Sequence, residues 1–128
     1  MSTCFLLVPG AHAKDKVIAV KDVEWGYLNP ARGDKSPGAA DLWGDTHSLY
    51  GSFVRLPQGF KGEIVAKSDE FKAVVISGSL KYDNVKTLDP GSYFTLSKGA
   101  HSRIESEGNK PSIVYIRATS PYHVTDSK

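Results

Sequence analysis

Glu63, Val65 and Lys67 alternate along a short β-prone run, so a regular strand places all three on one face. Lys67 there is either an ammonium free to meet an anion or the structural partner of Glu63. Asp69 and Glu70 follow on a turn, and His101 closes a second β-prone block further along the chain. One imidazole with the Glu63 and Asp69 carboxylates is a donor set that suits a hard or borderline divalent metal. The plainer reading is that Glu63 pairs with Lys67 or faces water and that Asp69 stays on its turn. Arg55 stands on an otherwise apolar strand, as an inward clamp for a carboxylate or as an outward surface charge. Trp43, Tyr93 and Tyr115 can stack against a ligand or simply fill a core, as aromatic side chains commonly do.

Other chemistries lack their residues. The sequence contains no Gly-x-Ser-x-Gly elbow, no phosphate-binding glycine loop and no Cys-x-x-Cys pair. Its one cysteine, Cys4, permits no internal disulfide. At 128 residues, with 40% hydrophobic and 23% charged residues, the chain has the size and composition of one globular domain. A net charge of +2 spread over scattered lysines and arginines gives no footprint for nucleic acid. No apolar run approaches the roughly 20 residues of a membrane span. Residues 1–13 read as the remnant of a signal peptide or as an N-terminal extension. Cys4-Phe-Leu-Leu-Val8 is apolar and Ala11-His-Ala13 is small-x-small, but the segment is short and no basic residue precedes the run. The compartment, exported to the periplasm or cytoplasmic, stays open.

The elements that must position these residues are strands. Val17–Val20 and Val23–Leu28 are short candidates, and Asn29–Ala40, dense in Pro, Gly, Asp and Ser, reads as a long unpatterned loop. β patterns then recur over 48–56, 63–67, 71–77, 80–82, 93–96, 102–105 and 112–118, while no run of ten or more residues has helical periodicity. Asp89-Pro90-Gly91 fits a type II turn. Many short strands separated by turns predict an all-β sandwich or barrel, with the jelly roll among the candidates.

Two of these blocks carry a resemblance. Gln58-Gly-Phe-Lys-Gly-Glu-Ile-Val-Ala-Lys-Ser-Asp-Glu-Phe-Lys-Ala-Val-Val-Ile-Ser-Gly78 and Leu88-Asp-Pro-Gly-Ser-Tyr-Phe-Thr-Leu-Ser-Lys-Gly-Ala-His101 resemble the paired motifs of the cupin superfamily. The first of those motifs normally carries His-x-His and the second one more histidine. Val23-Glu-Trp-Gly-Tyr-Leu-Asn-Pro30, Arg32-Gly-Asp-Lys-Ser-Pro37 and Ala40-Asp-Leu-Trp-Gly-Asp45 are similar to the leading segment of the bacterial DUF4437-type cupins, and residues 17–118 can be laid on that pattern. The resemblance implies a single-domain cupin over 14–128, a double-stranded β-helix or jelly-roll barrel, and a homodimer.

Laid on the motif, Val65 and Lys67 occupy the His-x-His positions, Phe71 the place of a frequent glutamate ligand, and His101 the second-motif histidine. Glu63, Val65 and Lys67 are thereby expected to face the barrel interior. One imidazole does not hold a transition metal, so the expectation is a degenerate pocket without a cofactor. A divalent transition metal held by His101, Glu63 and Asp69 is the alternative. The pocket is expected to be lined by His101, Lys67, Glu63, Arg55, Tyr93 and Trp43 and to take a small molecule, anionic if Lys67 receives it. Two other readings stay open: a metal-dependent oxygenase, isomerase or lyase with a rearranged ligand set, and a non-catalytic structural or interaction subunit.

Overall fold

A computed structural model describes residues 17–45 and 47–126. The apolar run at 4–8 and the small-x-small triplet at 11–13 lie outside the described residues. Eleven strands follow one another: β1 (Gly26–Tyr27), β2 (Gly38–Gly44), β3 (Tyr50–Leu56), β4 (Lys61–Val65), β5 (Phe71–Ser77), β6 (Ser79–Tyr82), β7 (Lys86–Leu88), β8 (Tyr93–Thr95), β9 (His101–Glu107), β10 (Ser112–Ala118) and β11 (His123–Asp126). They form a six-stranded sheet in the order β1-β2-β3-β10-β5-β8 and a five-stranded sheet in the order β11-β4-β9-β6-β7. All of the pairings are antiparallel.

Alternation decides which side of each strand is inside. In β3, Tyr50, Ser52, Val54 and Leu56 are buried, while Phe53 and Arg55 between them are partly exposed. β5 buries Phe71, Ala73 and Val75, and β10 buries Ser112, Val114, Ile116 and Ala118. The facing sheet contributes Ile64, Leu80, Ile104 and the small residues Ser102 and Ser106. These apolar side chains join Phe60, Ala66 and Leu96 in one contiguous cluster between the sheets, with Tyr82, Phe94 and Tyr122 packed against it. Each large side chain removed from water contributes about 1.5–3 kcal/mol, so this cluster is the principal stabilising feature of the fold.

The expected architecture, a single-domain all-β jelly roll, is the one observed. Three details differ. The candidate strand at 17–20 is not formed, and Val20–Asp22 is a single 3-10 turn. The unpatterned stretch after Asn29 holds a 3-10 segment, Pro30–Lys35, and then the start of β2, whose pairing with β3 no local pattern announces. β7 and β11, three and four residues long, also escaped the pattern. The expected glycine turn at 89–91 is present, with Gly91 at φ 95°. Gly78 matters more: its φ is 80°, and a Cβ there would lie 2.6 Å from the Pro111 carbonyl oxygen. Only glycine joins β5 to β6 at that approach.

Candidate functional site

The β4 strand corrects the expected inward parity. Gly62, Ile64 and Ala66 are buried, whereas Glu63 and Val65 are only partly covered and Lys67 is exposed. The same holds in β9, where Ser102, Ile104 and Ser106 are buried and His101 is exposed. Both motif strands are therefore offset by one residue from the expected register, and a one-residue offset moves every side chain to the opposite face. The interior positions at this level of the barrel are Ile64, Ala66, Phe71 and Ser102, which are 1%, 0%, 1% and 4% exposed. Phe71 is part of the core cluster. Its ring stands edge-on to Tyr122 at 6.1 Å and tilted to Phe94 at 6.5 Å. Three hydrocarbon side chains and one hydroxyl are not a donor set for a transition metal.

On the outside, His101 and Glu63 do meet. Val65 faces His101 across the β4–β9 ladder, and His101 Nδ1 lies 3.6 Å from Glu63 Oε1, with the two side chains 60% and 40% exposed. Asp69 does not join them; its Oδ1 accepts the backbone N–H of Lys98 at 2.9 Å. Among the described residues, no three His, Cys, Asp or Glu side chains gather as a metal site. Of the two plainer alternatives for Glu63, a pair with Lys67 or a place facing water, the pair is not formed, and Lys67 makes no ion pair among the described residues.

Arg55, Trp43, Tyr93 and Tyr115 lie on the outer face of the six-stranded sheet. The Arg55 guanidinium sits 4.5 Å above the Trp25 ring, a cation–π contact. Trp25 stacks on Phe53 at 6.1 Å, and Phe53 meets Tyr115 edge-on at 6.2 Å. The Trp43 indole N–H donates to the Tyr115 hydroxyl at 3.0 Å. That bond passes over Gly51, where a Cβ would collide with the Trp43 indole and the Tyr115 hydroxyl. Tyr93 stands opposite Val74, which in turn faces Tyr115, so it continues the same face and is 56% exposed. The six expected pocket residues thus divide between the outsides of two different sheets.

Polar groups inside the barrel collect toward its ends. Tyr50 donates to the Ser120 carbonyl oxygen at 2.9 Å, and Ser52 and Tyr122 share a hydrogen bond of 3.0 Å. Burial pushes the Tyr122 hydroxyl up to about 12, and burial, followed by the charges of Tyr122 and Asp41, raises that of Tyr50. At the β6 end, the Ser112 hydroxyl bonds Ser106 Oγ at 2.9 Å and donates to the Ser79 carbonyl oxygen at 2.9 Å.

Two adjoining clefts open on the outer surface, and most of their cations were not singled out in the sequence. One, of about 450 Å³, is lined by Arg32, Lys35, the 57–60 turn and Lys61. The other, also about 450 Å³, shares Lys35, Pro57 and Gln58 and adds Tyr27, Arg55 and Pro111. Arg32 and Lys35 belong to the stretch read as an unpatterned loop, and no periodicity ties that stretch to the turn before β4.

With this geometry in view, the comparisons with known proteins fall into place. The model of a domain of unknown function, DUF4437, matches residues 16–52 and 46–125. The chain belongs to the DUF4437 family. Its fold is that of the RmlC-like cupins. An RmlC-like cupin from Ralstonia eutropha JMP134 superposes with a TM-score of 0.67 at 12% identity, covering 93% of this chain and 77% of that one. An RmlC-like cupin from Shewanella frigidimarina NCIMB 400 gives 0.59 at 16% identity, covering 81% and 91%. The polyketide cyclase RemF from Streptomyces resistomycificus gives 0.62 at 13% identity, covering 89% and 87%. At such identities the likeness is one of fold. No curated protein matches the chain in sequence.

Proposed function

We propose that this DUF4437 domain is a metal-free small-molecule-binding module that carries its recognition surface outside the barrel. One observation supports the reading above all others: the motif strands turn Ile64, Ala66 and Ser102 inward beside the buried Phe71, and these side chains offer a divalent metal neither imidazole nor carboxylate. Converting such a site back into a metal centre requires new side chains, not rearranged ones. The interior side chains belong to the hydrophobic cluster, so a substrate has no polar chamber to enter at that level. The metal-dependent oxygenase, isomerase or lyase reading gains nothing from these residues. The likeness to a polyketide cyclase, at 13% identity, speaks for the shared barrel.

Elemental analysis of protein purified without an affinity tag tests the reading. Less than about a tenth of an equivalent of Zn, Mn, Fe, Ni or Cu is expected, because exposed imidazoles that gather into no cluster of three donors among the described residues give weak, exchangeable binding. Near-equimolar metal that survives buffer exchange refutes it.

The homodimer implied by the cupin resemblance belongs to the same proposal. The outer face of the six-stranded sheet offers Trp43, Tyr93 and Ile76, each at least 40% exposed. Aromatic residues of this kind are enriched at protein interfaces.

A further inference from the structure

We propose that the paired clefts between the Pro30–Lys35 segment and the 57–61 turn form a binding site for a small organic polyanion. The inference rests on the reading of a metal-free binding module and gives that module a ligand class. Arg32, Lys35 and Lys61 line the first cleft, Lys35 and Arg55 the second, and no carboxylate lines either among the described side chains. In a chain with 16 basic and 14 acidic residues, a lining of basic side chains with no carboxylate among the described ones is a local departure from the mixed surface. A neighbouring cleft of about 410 Å³ has the ordinary mixture, with Lys61 and Arg103 beside Glu63 and Glu105. Lys61 faces Glu105 across the β4–β9 ladder, yet the two form no ion pair. Lys35 likewise makes none among the described residues.

Both walls are fixed before any ligand arrives. On the first, the backbone N–H of Asn29 donates to Ser36 Oγ at 2.8 Å, and the Ser36 hydroxyl donates to the Pro37 carbonyl oxygen at 2.7 Å. The Arg32 and Ser36 N–H groups close turns onto Asn29 and Gly33 at 3.0 and 2.9 Å. Gly33 supplies the left-handed φ of 58° that separates Arg32 from Lys35 on this wall. On the second wall, Phe60 bonds back to Pro57 at 3.0 Å, and Gly59 and Phe60 both bond to Ser106. Cations held by a preorganised backbone lose less entropy on binding.

Chemistry then selects the ligand. Guanidinium groups match carboxylate or phosphate oxygens through paired N–H donors, while ammonium groups act as point charges. A space of about 450 Å³ in each cleft suits a metabolite-sized molecule. Tyr27, Pro57 and Pro111 give the second cleft an apolar side for the carbon skeleton. The ligand is therefore a di- or trianion, a polycarboxylate or a phosphate ester.

Calorimetric titration at low salt, with citrate and pyrophosphate as probes, tests the site. The wild-type chain is expected to bind one probe molecule, with affinity falling as salt rises. Binding of citrate alone identifies a carboxylate site, binding of pyrophosphate alone a phosphate site, and binding of both a site for the shared charge. Lys35→Gln and Lys61→Gln are each expected to weaken binding about tenfold, and together about a hundredfold, since each removes a charged hydrogen bond. A control double variant, Lys86→Gln/Lys98→Gln, makes the same change in net charge away from the clefts and is expected to stay within about threefold. Thermal melts confirm that the variants are folded. No binding of either probe, retained affinity in the Lys35/Lys61 variants, or equal loss in the control overturns the inference. A metal-free protein that binds neither probe leaves the metal-free reading standing, whereas a tightly held metal overturns that reading whatever the clefts do.

Discussion

The register of β4 can be tested by two neighbouring truncations. Ile64 is 1% exposed inside the barrel and faces Ser102 on β9 and Val124 on β11. Ile64→Ala removes three carbons from a close-packed cluster. At about 0.8 kcal/mol for each, the transfer loss is about 2.4 kcal/mol, and the residual cavity raises it to about 3–4 kcal/mol. Val65, one residue on, lies on the outer face, partly covered and opposite the exposed His101. Val65→Ala loses two carbons that are already partly solvated and is expected to cost less than about 1 kcal/mol. Urea unfolding at 25 °C measures both. With a slope of about 2 kcal/mol per molar, the Ile64 variant should lose about 1.5–2 M from its midpoint and the Val65 variant under 0.5 M. Equal slopes are required, because a changed slope means that the denatured state has moved as well. A Val65 variant that is the less stable of the two would show that the strand faces the other way, and Val65 and Lys67 would return to the interior.

Two further outcomes are expected. Because burial holds the Tyr122 hydroxyl at about 12 against an ordinary value near 10, the folded state keeps that proton where the unfolded state loses it. Its contribution, about 2–3 kcal/mol, is complete below about pH 10 and lost as pH rises through about 12. Tyr122→Phe should flatten the fall of melting temperature over that range, and an unchanged alkaline profile refutes the assignment. For the homodimer, light scattering should give twice the chain mass. Tyr93→Glu on the outer sheet face should shift that mass toward one chain, and a dimer indifferent to the change places pairing elsewhere.

The fold was legible because its signals are local and repeated. Alternation in β3, β5 and β10, glycine at 78 and 91, and the tryptophan-bearing leader all pointed to the same jelly roll. The site was less legible, for a specific reason. The spacing of a histidine motif was laid onto a strand that has no histidines, and it placed Val65 and Lys67 inside. The strand's own period favoured the opposite face: Lys61, Glu63 and Lys67 are polar, and Ile64 and Ala66 between them are not. In β9, likewise, Ser102, Ile104 and Ser106 alternate with Arg103, Glu105 and Glu107. Where a family's motif spacing and a hydrophobic period disagree, burial energetics decides the register. The approach of the Pro30–Lys35 segment to the 57–61 turn depends on long-range closure that no short window of sequence contains.

On the proposed metal-free reading, the packed interior accounts for a recognition surface outside the barrel. A metal barrel keeps lone pairs at its centre, and buried polar atoms are costly unless a ligand or hydrogen bond occupies them. With Ile64, Ala66 and Phe71 in those places, that cost disappears and the two sheets share one apolar cluster. Polar side chains move to the ends, where they satisfy one another: Ser52 with Tyr122, and Ser112 with Ser106 and Ser79. Such a barrel is a packed support, with Ile64, Ala66 and Phe71 inside one apolar cluster. Side chains that can meet a solute then come from what the barrel carries on its surface. The segment before β2, closed by its own turns, and the turn before β4, bonded to Ser106, stand beside a row of cations. The proposed recognition surface thus sets its positive charge on the outer wall, beside backbone that hydrogen bonds hold in turns.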